Sequence, residues 1–197
     1  MIKNQMHLWL EISMARFLLF FIVLLFSACG ATNYYSFSDL EMNDDMKSNY
    51  SSDVGVAKIT LPAYMKQNRV VIQTAPHKLS FLEGDEWVDS LDLIATQTMI
   101  NHFQKLSNGA NISLYPWDFE SKQGQKVTIH ISRFIAYEDS VTLEATYSIQ
   151  GITKGSSRVD RSFKTVVPTD IKNTDKVVES MNMAFRYLAK DIHKALI

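Results

Sequence analysis

KVTIHISRFIAY (Lys126–Tyr137) and SVTLEATYSIQ (Ser140–Gln150) decide the fold class of this 197-residue chain. In the first arm Val127, Ile129 and Ile131 alternate with Thr128, His130 and Ser132. In the second, Val141, Leu143, Ala145, Tyr147 and Ile149 alternate with Thr142, Glu144, Thr146, Ser148 and Gln150. Successive side chains of a strand point to opposite faces, so this pattern puts the apolar residues on one side and the polar ones on the other. Only Glu138 and Asp139 separate the arms, which makes an antiparallel hairpin the direct reading. A sheet with one apolar face must bury that face under other elements.

The cover is supplied further along. In Asp175–Leu196, the residues Val177, Val178, Met181, Ala184, Phe185, Leu188, Ile192 and Leu196 fall in an arc of about 140° at helical spacing. Thr174 is the expected cap; Asp175 and Glu179 suit the positive end of the helix dipole, and Lys190, His193 and Lys194 the negative end. Met183 and Tyr187 fall on the polar face, one turn apart, where a partner contact competes with chance exposure. A second helix is expected over Asp89–Leu106, capped by Asp89 and ended by Asn108-Gly109 in the left-handed region. Leu91, Ala95, Met99, Phe103 and Leu106 form its buried stripe, opposite Gln97, Asn101, Gln104 and Lys105. His102 sits beside that stripe and reads as a hydrogen-bonded histidine at the core edge rather than a ligand.

Shorter strands are expected at Tyr34–Phe37, Val54–Leu61, Arg69–Thr74, His77–Phe81, Ile112–Leu114 and Arg158–Val166. Gly84-Asp85-Glu86 ends the fourth and Pro168 follows the last. The expected fold is α+β: a two-layer sandwich of a mostly antiparallel or mixed sheet with two amphipathic helices packed on one face.

Phe17–Cys29, FLLFFIVLLFSAC, reads as an export signal. The ten apolar residues Phe17–Phe26 are too few to cross a bilayer core, which takes about 20 residues. Ser27 and Ala28 are the small residues a signal peptidase needs. Phe26-Ser27-Ala28-Cys29 looks like a bacterial lipobox, with Phe26 in place of the usual Leu. There the cysteine takes a diacylglycerol and, after cleavage, an N-acyl chain such as palmitate. An ordinary cleaved signal followed by a free thiol is the competing reading. Cys29 is the only cysteine, however, and cannot form an internal disulfide in an exported chain. The expected organisation is a signal peptide over 1–28, a lipidated tether over 29–33, and a single domain over 34–197; Met14 is an alternative start. Tyr34 stands five positions after Cys29, about 17 Å of extended chain, so a domain beginning there stays close to its membrane.

Loss of Lys3, Arg16 and Glu11 with the signal leaves 18 basic and 20 acidic side chains in the mature chain. This balance argues against nucleic acid and against anionic lipid headgroups as a strong electrostatic partner. Ser38–Asp53 is polar and acidic, a surface loop in which Asp44, Asp45 and Asp53 lack the spacing and glycine of a calcium loop. No Gly-x-Ser-x-Gly turn, histidine pair at metal spacing, second cysteine or glycine-rich phosphate loop is present. His130, on the polar face of its strand, is the best placed candidate base and reads more simply as a surface histidine. No catalytic residue, metal ligand or cofactor beyond the acyl groups is expected, and the chain is read as a binding protein and not an enzyme.

The order of these signals resembles the PqiC-type auxiliary lipoproteins of ABC-type transport systems. The likeness is carried by the lipobox followed at once by Tyr34-Tyr35-Ser36-Phe37, then Val54-Gly55-Val56, Ile59-Thr60-Leu61-Pro62-Ala63-Tyr64 and Arg69-Val70-Val71. It continues through Trp87, Ser90-Leu91, Tyr115-Pro116-Trp117, Val127–Phe134, Val141-Thr142-Leu143-Glu144-Ala145 and the closing helix. The long acidic loop departs from the pattern. The resemblance implies an outer-membrane lipoprotein that docks an MCE-domain protein spanning the periplasm, in a system that moves lipids between membranes and supports envelope integrity, with phospholipid as a candidate further partner. Gly30 after the cysteine agrees with outer-membrane sorting. A homo-oligomeric ring is expected, because a cyclic partner is met most simply by a cyclic assembly. Pro62, Tyr64, Tyr115 and Trp117 are nominated as contact residues, against the alternative that they are turn residues closing the core. A lipoprotein activator of a peptidoglycan synthase is the competing function; it usually needs a longer tether.

Overall fold

Ten elements follow one another along the chain in the computed structural model: β1 (Asn33–Tyr35), β2 (Asp53–Ala57), β3 (Arg69–Ala75), β4 (Lys78–Trp87), α1 (Leu91–Leu106), β5 (Ile112–Tyr115), β6 (Gly124–Tyr137), β7 (Ser140–Gly151), β8 (Arg158–Pro168) and α2 (Thr174–Leu196). The structure describes residues 31–38, 50, 52–107, 109–117, 124–153 and 155–196, with Met14 and Arg16 besides. Cys29, the lipobox, Asp44 and Asp45 lie outside the described residues. The chain divides into two units, Met1–Thr32 and Asn33–Ile197, and all ten elements belong to the second.

The alternating arms form β6 and β7, paired antiparallel from Gln125↔Gly151 to Tyr137↔Ser140, and β8 extends the ladder from Gln150↔Arg158 to Ser140↔Pro168. Val127, Ile129, Ile131, Val141, Leu143, Ala145, Tyr147 and Ile149 are all buried, as the alternation requires. The ladder slips between Ile131 and Arg133, a bulge that the alternation does not announce.

On its other edge β6 is shared by two wings. β2 runs parallel to its first residues, from Asp53↔Gly124 to Val56↔Val127, and β5 lies parallel outside β2. β3 runs parallel to its last residues, Ile72↔Ala136 and Gln73↔Tyr137, with β4 antiparallel to β3 and β1 parallel to β4. The eight-stranded sheet is therefore mixed and branches at β6. Between the wings Thr60 donates to the Ile129 carbonyl and accepts from the Ile131 N–H, and a single 3₁₀ turn, Ala63–Met65, follows Pro62.

Both helices cover the apolar face, and the two-layer α+β arrangement is what the structure has. Every residue of the expected α2 stripe is buried, and Phe185 stacks on Phe37 at 5.4 Å and on Phe134 at 6.5 Å. Each large side chain so buried contributes about 1.5–3 kcal/mol. α1 buries its expected stripe and also Ile94, Thr96, Thr98, Ile100 and His102. His102 is thus in the core at 0% exposure, not at its edge.

Element ends differ from the sequence expectation for identifiable reasons. β4 continues through Gly84, whose φ of 76° absorbs the bend that reads in sequence as a stop. β2 ends at Ala57, and only Thr60 of the remaining expected strand bridges to β6. α1 begins at Leu91, two residues inside the expected start, with Ser90 at the cap position. At α2 the capping side chain is Asn173, whose Oδ1 accepts the Lys176 N–H at 3.2 Å; the Thr174 hydroxyl donates instead to Asp85 at 2.6 Å. His193 is buried rather than at the solvated helix end, hydrogen-bonded to the Tyr50 hydroxyl.

Candidate functional site

The face of the sheet turned away from the helices carries the polar half of the alternation. Across β6, β7 and β8 it is laid out in rows, His130–Thr146–Ser162, Thr128–Ser148–Asp160 and Lys126–Gln150–Arg158. Of these, His130, Thr146, Ser162, Thr128, Ser148, Asp160 and Arg158 line a shallow depression of about 420 Å³. Arg158 donates to both carboxylate oxygens of Asp160, at 2.9, 2.9 and 2.7 Å. Those bonds hold the Asp160 carboxyl below the usual carboxylate range and raise the guanidinium.

Imidazole, hydroxyl and carboxylate are the residue types of a nucleophilic triad, yet they are not arranged as one. A triad needs its carboxylate on the imidazole N–H, and here both Asp160 oxygens are taken by Arg158. Among the described residues no three His, Cys, Asp or Glu side chains converge as a metal site. What the depression offers is a set of hydroxyl, imidazole and guanidinium hydrogen-bonding groups on a sheet.

One corner of this face is aromatic. The Tyr115–Pro116 peptide is cis, and beyond it the Trp117 indole lies across β2 and β6. A methyl group at Gly55 would stand 2.9 Å from Trp117 Cε2, and one at Gly124 2.3 Å from Cη2, so the two glycines form the seat of the ring. Tyr115 meets Trp117 edge-on at 5.8 Å, and the Lys126 ammonium lies 4.9 Å from the Tyr115 ring.

Pro62 and Tyr64 are placed elsewhere, at the split between the wings. The Tyr64 hydroxyl accepts the Phe134 N–H at 3.1 Å, where neither wing reaches β6, and burial pushes its phenol up. Met183 and Tyr187 lie on the other side of the molecule, in a groove of about 710 Å³ between α2 and the end of β8, floored also by Val167 and Pro168. Met183 packs half-buried against the core, while Tyr187 is 43% exposed. The six nominated residues thus occupy three separate places. The polar depression and the glycine seat are the parts that nomination by residue type left out; the alternation itself marked the face, but the seat joins Gly55 of β2, Gly124 of β6 and Trp117 from the loop after β5.

None of the curated proteins matches the chain in sequence. Solved structures share its fold, two of them over most of both chains. A crystal structure of an uncharacterized protein superposes with a TM-score of 0.68 at 15% identity, covering 85% of this chain and all of that one. A Xanthomonas campestris protein of the DUF330 family superposes with a TM-score of 0.64 at 14% identity, covering 82% of this chain and 93% of that one. No described helix is long and apolar enough to cross a membrane. The family model for ABC-type transport auxiliary lipoprotein components matches residues 35–193, from the last residue of β1 almost to the end of α2. The chain belongs to that family of ABC-type transport auxiliary lipoproteins.

Proposed function

We propose that this protein is the membrane-held docking subunit of an ABC-type lipid transport system. Acyl chains on Cys29 hold it on the periplasmic face of the outer membrane. There it receives an MCE-domain protein that bridges the periplasm, as a homo-oligomeric ring, and so supports envelope integrity. It performs no catalysis of its own. The observation that carries the reading is the nearness of the only cysteine to the first strand: β1 opens at Asn33, four positions after Cys29, about 14 Å of extended chain. A domain held that closely cannot reach across the periplasm, so the bridging length comes from a partner. The family's association with ABC-type transport supplies the class of partner, and the polar, aromatic-cornered outer face supplies a surface without catalytic geometry.

Two measurements test this. Membrane fractionation of Cys29→Ser is expected to release the chain from the outer membrane; wild-type retention would refute the anchor. Affinity isolation of the tagged protein from solubilised membranes is expected to retain an MCE-domain protein with its ATPase and permease. Recovery of a penicillin-binding protein in their place would overturn the docking role.

A further inference from the structure

The outward side of α2 carries cations that no described carboxylate pairs with. Its carboxylates are engaged: Asp175 accepts the Tyr35 hydroxyl at 3.1 Å, Glu179 pairs with Lys176 at 2.8 Å, and Asp191 accepts the Tyr147 hydroxyl at 2.7 Å. Arg186, Lys190 and Lys194 follow at four-residue steps on the same helix, and none of them forms an ion pair with a described residue. The Arg186 Nε is buried with no hydrogen-bond partner. Burial, then Arg186 and Lys194, push the Lys190 ammonium down. Like charges four residues apart destabilise a helix, so this stripe is complementary to an anion from outside the fold.

The same arc, about 100° wide at helical spacing, contains Met183 and the exposed Tyr187. Three long cationic side chains around a thioether and a phenol make the composition of a helix face that lies in a membrane interface. The chain balance of −1 conceals it, because the carboxylates of α2 are spent inside the domain. The start of this helix is also where the chain enters the fold: Asp175 is bonded to Tyr35 of β1, six positions after Cys29. From Asp175 to Lys190 the helix rises about 22 Å, so the stripe lies within a short distance of that entry along a single rigid element.

We propose that α2 rests on an anionic phospholipid surface, with Arg186, Lys190 and Lys194 against headgroup phosphates and Tyr187 and Met183 at the acyl boundary. This rests on the reading that Cys29 is acylated. Acylation also makes the test clean, because Tyr187→Cys is then the only free thiol of the mature chain. The lipidated variant, labelled there with an environment-sensitive fluorophore, is reconstituted into vesicles of phosphatidylglycerol with phosphatidylethanolamine, or of phosphatidylcholine alone.

A blue-shifted, brighter signal is expected only on the anionic vesicles, reversed by about 0.5 M salt as the charges are screened. Combining the reporter with Arg186→Gln, Lys190→Gln and Lys194→Gln is expected to lower the membrane-apposed population about fivefold per charge, about a hundredfold in all. The salt titration of the labelled chain decides the matter even if the triple variant folds poorly. An equal signal on both vesicles, a signal indifferent to salt, or one that appears only on adding an acidic protein partner overturns the proposal. Flotation reads the anchor separately: a chain that floats without a fluorescence response refutes the stripe alone, and one that fails to float refutes the acylation reading and the proposal with it.

Discussion

At the scale of single residues, the least forgiving position is Gly124. A β-carbon there meets the Trp117 ring at 2.3 Å and the Ile152 Cδ1 at 3.1 Å, so Gly124→Ala must displace the indole. Overpacking of this kind costs about 1–3 kcal/mol. Urea denaturation is expected to show that loss, and Gly124→Ala combined with Trp117→Ala to recover part of it, because removing the ring removes the clash; equal losses in the single and double variants would show that the seat is not the cause. The sequence names Tyr115-Pro116-Trp117 but not this seat, since Gly55 and Trp117 are 62 positions apart and nothing local relates them. Tyr64 is similar. Its hydroxyl is needed where neither wing reaches that edge of β6, a gap created by the branching of the sheet and invisible in the turn that contains it.

At the scale of elements, α1 and α2 were the most legible parts, because a 3.6-residue period is a local property that packing then confirms residue by residue. Their ends were less so. Thr174 is a good cap by type, but Asp85 on β4 takes its hydroxyl and leaves capping to Asn173, and such competition is decided by tertiary neighbours. Two phenols fasten α2 to the sheet: Tyr147 donates to Asp191 and Tyr35 to Asp175. Burial first, and then the carboxylate each phenol bonds, push both up to about 12 from an ordinary value near 10. A phenol with a raised value binds its proton more tightly in the folded state. Its contribution to stability is therefore complete below about pH 10 and disappears as pH rises through about 12. Thermal melts are expected to fall across that window. Tyr35→Phe with Tyr147→Phe should start lower at pH 8 and decline less steeply; parallel curves for the two proteins would remove these tyrosines from the account.

At the scale of the whole molecule, the layers follow from composition and period, whereas the branching does not. The hairpin of β6 and β7 joins neighbours in sequence. β2, β3 and β5 reach their partners across tens of residues, and parallel pairing leaves no turn signature to read. The same layout grades stability. β6 and β7 share twelve register pairs and lie inside the sheet, while β1 holds to β4 by three, Asn33↔Asp85 to Tyr35↔Trp87. Native-state hydrogen exchange is expected to find the amides of β6 and β7 opening only on global unfolding and those of β1 opening well before it; equal protection would contradict this. For a chain held by its N-terminus, that gradation is mechanical. Tension arriving through the tether loads β1 first. The load then passes to β4 through those three pairs, and to α2 through the Tyr35–Asp175 contact, before any of it reaches β6 through Ile72↔Ala136 and Gln73↔Tyr137. Peeling β1 away releases three residues, about 10 Å of slack, while the layers behind it stay closed. If Cys29 is acylated as proposed, the first strand would act as a fuse, giving way so that a pull on the N-terminus lengthens the leash instead of opening the core.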